Sequence, residues 1–255
     1  MDDRFLMILA NLLAIAGGFV GIRSARKGEN SRFTIVWMIG AFAVQCIVLA
    51  HRGEAQGRCP IVGLGEIFFF LGWALTLFYL LVGSAYRLSF LGTFTAPLVI
   101  VFQQLAVMPG IYQAPPLVPA ANVDPWLESH ASFSLLAYGA LALSAVAAVM
   151  FLIQDRHLKQ HNLDDFSQKM PSVRQLSTST RRLCWLGVFL LTVGIVCGFI
   201  TPKAASSAKL WVACGVWALY AGLIGISLIR GLPARQYAKA ILVLFVLSLS
   251  VLFLR

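Results

Sequence analysis

Long apolar stretches separated by short polar segments run through the whole chain. Apolar runs occupy residues 5–22, 33–50, 61–82, 93–109, 130–153, 183–201, 210–229 and 238–254, each bounded by charges, glycine or proline. Roughly 20 apolar residues in a helix are needed to cross about 30 Å of hydrocarbon, and each run reaches or approaches that length. None shows the period-two alternation of a membrane-barrel strand. Lipid offers backbone polar groups no partner, so each run is predicted to be a helix. The pattern predicts an all-α, polytopic transmembrane helix bundle of about eight spans, forming a single integral-membrane domain over residues 1–255. The first run lacks a small-residue cleavage site leading into a polar segment, and reads as a retained span instead of a signal peptide.

Composition sharpens this picture. Hydrophobic residues make up 59% of the chain and charged ones 12%, against about 25% charged in a soluble domain. A cytosolic enzyme, a disordered tail and a secreted disulfide scaffold are excluded together. The net charge of +10 does not point to nucleic acid, because the basic residues sit between the apolar runs, as membrane loops carry them. Fourteen of the 20 Lys and Arg residues fall in one set of alternate loops, around Arg23–Arg32, Arg87, Arg156–Arg182 and Arg230–Lys239. The positive-inside rule makes that set cytoplasmic and puts both termini outside. The main cytoplasmic loop is then 154–182. The main outer loop is 110–129, stiffened by Pro115, Pro116, Pro119 and Pro125. Four of the five cysteines lie inside apolar runs and no C-x-x-C pair exists, which argues against thiol–disulfide exchange.

Once the spans are oriented, the polar residues inside them fall on one side. Gln45, His51, Glu66, Gln103, Gln104 and His130 all lie in the predicted outer half. Intramembrane polar groups are costly and face a cavity or one another, so a shared outer-leaflet pocket is expected. Simpler roles stand beside it: Glu66 as a cap of the helix after Pro60, the glutamines as interhelical glue, His51 as a solvated residue, Trp126 as an interfacial anchor. His130 fits such roles least well, because it leads an otherwise apolar helix behind a proline-rich loop. A neutral imidazole at that depth is the usual ligand of haem iron. Trp126, Phe133 and Tyr112 could flank a macrocycle, while Arg52, Arg58, Lys203 and Lys209 could pair with its propionates. No H-E-x-x-H, G-x-S-x-G or P-loop motif is present, and no enzymatic activity is expected. A transporter reading finds no internal repeat and no pair of interrupted spans to support it.

Three segments carry a family resemblance. Trp126-Leu127-Glu128-Ser129-His130, continuing as ASFSLLAYGALAL and ending in FLIQDRHLK, is similar to the W-L-x-x-H leading helix of the cytochrome c assembly proteins of the CcsA/CcmC type. Gly57-Arg58-Cys59-Pro60-Ile61, followed by Leu64, Glu66 and the FLGW of Phe70–Trp73, resembles that family's G-H-x-P-x-x-x-L-x-E segment. Leu186-Gly187 through LLTVGIVCG resembles the helix before its tryptophan-rich signature. The likeness is strongest over residues 50–240, and the smaller HemX/YpjD-like members are the most similar. It implies a haem-binding or haem-handling accessory factor in cytochrome c biogenesis, in the bacterial inner membrane, contacting lipid and a second assembly protein. In the family, haem is held by external and intramembrane histidines, and His130 matches the first external one. Arg58 stands where the G-H-x-P histidine belongs, and the loop TPKAASSAKLW keeps only Trp211 of the signature. Neither Leu228–Arg230 nor the tail ending at Arg255 supplies the remaining histidines. The expected cofactor site therefore comprises His130 as iron ligand with Trp126, His51 and Glu66, a second axial bond coming from His51 or Met108. The alternative that the resemblance implies is a HemX-like regulator of tetrapyrrole synthesis, acting through loop 154–182 without bound haem.

Overall fold

In the computed structural model every apolar run forms a helix. The structure describes residues 3–27, 32–86, 91–112, 123–160, 170–201 and 208–249, so Pro115, Pro116, Pro119, Lys203 and Arg255 lie outside it. Eight helices and no strand occur among the described residues: α1 (Asp3–Lys27), α2 (Arg32–Gln56), α3 (Leu64–Tyr86), α4 (Leu91–Val107), α5 (Pro125–Lys159), α6 (Val173–Ile200), α7 (Ala208–Arg230) and α8 (Ala234–Leu249). Six of them are long and apolar enough to span a membrane, and α4 is a shorter apolar helix. Large apolar side chains stand on the outer helix faces, including Phe19, Phe33, Phe189, Leu228 and Val246. Such faces are natural against lipid and hazardous against water.

The helix ends depart from the apolar runs where capping chemistry takes over. α5 begins five residues before its apolar run, at Pro125, because Asp124 caps it and accepts a hydrogen bond from the Trp126 N–H at 3.0 Å. Proline suits the first helical position, since it lacks an N–H that would have no partner there. α6 likewise begins at Val173, where Ser172 and Gln175 form a reciprocal capping box. The polar segments 110–129 and 154–182 are therefore partly helical.

The packing divides into two units, residues 1–123 and 124–255. In the first, α1 packs on α2 and α4, and α3 on α4 and α2. The buried face of α2 repeats every three or four residues through Thr34, Met38, Ala41, Gln45, Val48, Arg52 and Gln56, the spacing of one helical stripe. Gly57, with φ of 63°, ends that helix in a left-handed turn.

In the second unit, α5 packs on α6 and α8, and α7 on α6 and α8. Residues 137–148 of α5 are buried all round. Close approach to α6 comes from a small-residue face on α6, Gly187, Gly194 and Gly198, whose last two form a G-x-x-x-G pair. A Cβ at Gly187 would lie 2.6 Å from Leu141, and one at Gly194 would lie 2.8 Å from Ser134 Oγ. Polar stitches complete the packing. Ser144 donates to the Thr180 carbonyl at 2.9 Å, and Trp217 to Thr192 Oγ1 at 2.8 Å. Arg181 bonds to Ser227 and to the Leu232 carbonyl while stacking over Tyr237.

Candidate functional site

The candidate residues distribute between the two units. Glu66, in the first turn of α3, is buried and fully engaged. Its Oε1 accepts from Arg52 Nη1 at 3.1 Å and from Gln56 Nε2, and its Oε2 accepts from the Val62 and Gly63 N–H groups at 2.9 and 3.4 Å. Two of those donors are backbone groups just ahead of the helix, so the carboxylate closes the turn that the loop after Gly57 opens.

Arg52 is 1% exposed and lies between two carboxylates, Glu66 and Asp3, the latter at 3.4 Å from its Nε. Asp3 in turn receives His51 Nδ1 at 2.6 Å. Tyr112 closes the group from above, with the guanidiniums of Arg52 and Arg4 both about 5 Å from its ring centre, at 5.2 and 5.3 Å. A buried carboxylate is sustained only when its remaining acceptor capacity is also used, and Glu66 receives Gln56, Val62 and Gly63 besides Arg52. Arg52, which could pair with a propionate on sequence grounds, is buried here against these two carboxylates.

His51 keeps an exposed ring, at 52% of its side chain, but the nitrogen facing the protein is spent on Asp3. Gln45 and Gln103 are completely buried, whereas Gln104 is exposed. Met108, a candidate second axial ligand, is exposed and lines an apolar groove of about 410 Å³ on α4 with Gln104 and Leu105.

His130 belongs to the second unit. It sits five residues into α5, half-buried against the C-terminal end of α6. Its Nδ1 is 2.7 Å from the Gly194 carbonyl oxygen. A carbonyl can only accept, so Nδ1 carries the proton, and in the uncharged form of the ring Nε2 is the nitrogen with the lone pair. This is the backbone-fixed tautomer that orients imidazole ligands in metal sites. Gly198 makes the placement possible, because a Cβ there would fall 2.7 Å from Nδ1 and 3.1 Å from Cε1. Trp126, four residues earlier on the same helix, is half exposed. No group of three or more metal-ligating side chains occurs among the described residues.

The partners of these residues were not legible locally: Asp3 meets His51 across 48 residues, and Gly194 meets His130 across 64. The only advance signal was the G-x-x-x-G spacing at Gly194 and Gly198.

These features define a polytopic helical membrane protein with a buried ion-pair cluster in one unit and an oriented, half-buried imidazole in the other. A family model described as "Cytochrome C assembly protein" matches residues 61–255, and the chain belongs to that family. The match runs across both units. A protein named "Cytochrome c biogenesis protein CcsA" from Porphyra purpurea is 27% identical over 237 residues, covering 78% of this chain and 74% of that protein. One of the same name from Synechococcus sp. (strain JA-3-3Ab) is 37% identical over 129 residues, covering 49% of this chain and 37% of that protein. "Protein HemX" from Brevibacillus brevis is 26% identical over 209 residues, covering 82% and 75%. Family membership supports a role in cytochrome c biogenesis.

Proposed function

We propose that this chain is a haem-handling accessory factor of cytochrome c assembly, with His130 as the iron ligand. The observation that carries the reading is the 2.7 Å bond from His130 Nδ1 to the Gly194 carbonyl, which leaves Nε2 as a bare donor on an immobilised ring. Histidine is a common protein ligand of haem iron, and His130 would supply that ligand when haem is bound.

His51 is not assigned to the iron on this reading. His51 is tied to Asp3, and Glu66 and Arg52 satisfy each other. A second assembly protein would complete the haem site, and Trp126, half exposed four residues before His130, would offer an aromatic face to the haem. The chain presents haem to a partner and makes no bond itself. It forms one functional domain in a bacterial cytoplasmic membrane, with both termini outside, as the charge distribution of its loops favours.

Purified protein in detergent, titrated with haemin, is expected to develop a Soret band that His130→Ala abolishes. Absence of any Soret band from the unaltered protein, under both oxidising and reducing conditions, overturns the proposal. Should His130→Ala leave cytochrome c maturation unchanged while replacement of loop 154–182 abolishes function, the regulatory reading replaces it.

A further inference from the structure

The interior of α1–α4 contains a second polar layer that the ion-pair cluster does not explain. Asn11, Gln45 and Gln103 are each at most 3% exposed. Among the described residues no hydrogen-bond partner lies within reach of Asn11 Oδ1, or of either amide atom of Gln45 or Gln103. Buried amides without partners are rare in folded proteins, and an unpartnered one in an interior points to ordered water or a ligand.

The three amides share one level of the bundle, as the helix registers establish. Gly18 faces Ala96, Gly17 faces Trp37 and Met38, and Gly21 faces both Thr93 and Thr34, so α1 runs antiparallel to both α2 and α4. Seven residues from the Gly18–Ala96 contact, about 10 Å along each axis, are Asn11 and Gln103. Seven residues beyond Met38 is Gln45. The contact between Asp3 and His51, farther along the same pair of helices, fixes the register from the other side. The remaining helix of this unit, α3, contributes Gly72, where a Cβ would press on Gln103 Cγ at 3.3 Å. A glycine there lets the amide side chain lie close against α3.

We propose that Asn11, Gln45 and Gln103 form an internal hydration site, holding a small cluster of ordered water in the core of the first unit. Three primary amides offer both donors and acceptors and no charge. They suit a neutral hydrogen-bonding occupant, and a buried water needs two to four such partners. The layer lies about 10 Å from Arg52 along α2, with Val48 between, so it is a separate site and not an extension of the ion pair.

Radiolytic hydroxyl-radical footprinting of the full chain in lipid nanodiscs, in H₂¹⁸O, tests it. Met7 is 1% exposed and one turn from Asn11 on the buried face of α1, while Met150 in α5 is fully buried in the other unit and serves as the reference. Met7 is expected to take up ¹⁸O several-fold faster than Met150, and the Gln45→Leu/Gln103→Leu double variant to bring it down to the Met150 rate. Equal labelling of the two methionines in the unaltered protein overturns the proposal, whether or not the double variant folds, and would mean that the amides satisfy one another. Undiminished labelling of Met7 in a folded double variant also overturns it, since the water would then enter from the end of the bundle.

Discussion

Adding one methyl group at Gly198 tests how tightly the imidazole is held. The Cβ of Gly198→Ala would lie 2.7 Å from His130 Nδ1 and 2.8 Å from Leu210 Cδ1, whereas ordinary contact begins at 3.4 Å. The leucine methyl sits at the end of a flexible side chain and can swing aside. The ring cannot retreat as freely, because its Nδ1 is bonded to the Gly194 carbonyl one turn away on the same helix. Overpacking of this kind costs about 1–3 kcal/mol, and loosening the hydrogen bond adds about 1 kcal/mol. A net loss of about 2–4 kcal/mol lowers the thermal midpoint of a chain this size by roughly 4–16 °C. The assay is thermal unfolding in detergent, run as a double-mutant cycle with His130→Ala. Removing the ring removes the obstacle, so Gly198→Ala is expected to cost far less in the His130→Ala background, with a coupling of about 1–2 kcal/mol. Equal costs in the two backgrounds would refute the reasoning, since the close approach would then not involve the ring.

Two further outcomes follow from the packing. Glu66→Gln leaves Arg52 buried with one carboxylate fewer, and is expected to destabilise the first unit by about 3–5 kcal/mol, read in the same thermal assay. Ser172→Ala removes one arm of the α6 capping box and is expected to cost about 1 kcal/mol, read as a small drop in midpoint with haemin binding unchanged.

The eight apolar runs each became one helix because, in lipid, hydrophobicity and length leave no competing secondary structure. Boundaries were less legible from apolarity alone, although the signals were in the chain: Asp124-Pro125 and Ser172-x-x-Gln175 are cap sequences that extend α5 and α6 beyond their apolar cores. Within the candidate site, the residue types were legible and their partners were not. Glu66 as a helix cap was readable from its position after Pro60, since its backbone partners are local. Its pairing with buried Arg52, and that of His51 with Asp3, depend on how separate helices pack, and no local pattern encodes it. Gln45 and Gln103 read as interhelical glue; in the structure they are buried without bonding to a neighbouring helix.

The unbroken 35-residue length of α5 has a mechanical consequence. A helix of that size is about 52 Å long and outreaches the hydrocarbon at one or both ends. Lys159 and His130 are carried on one stiff rod, about 44 Å apart. A pivot of roughly 5° about the midpoint of that lever sweeps the imidazole through about 2 Å, farther than a 2.7 Å hydrogen bond can stretch and survive. Any force applied at the basic tip would therefore act through that lever on the hydrogen bond that holds the ring.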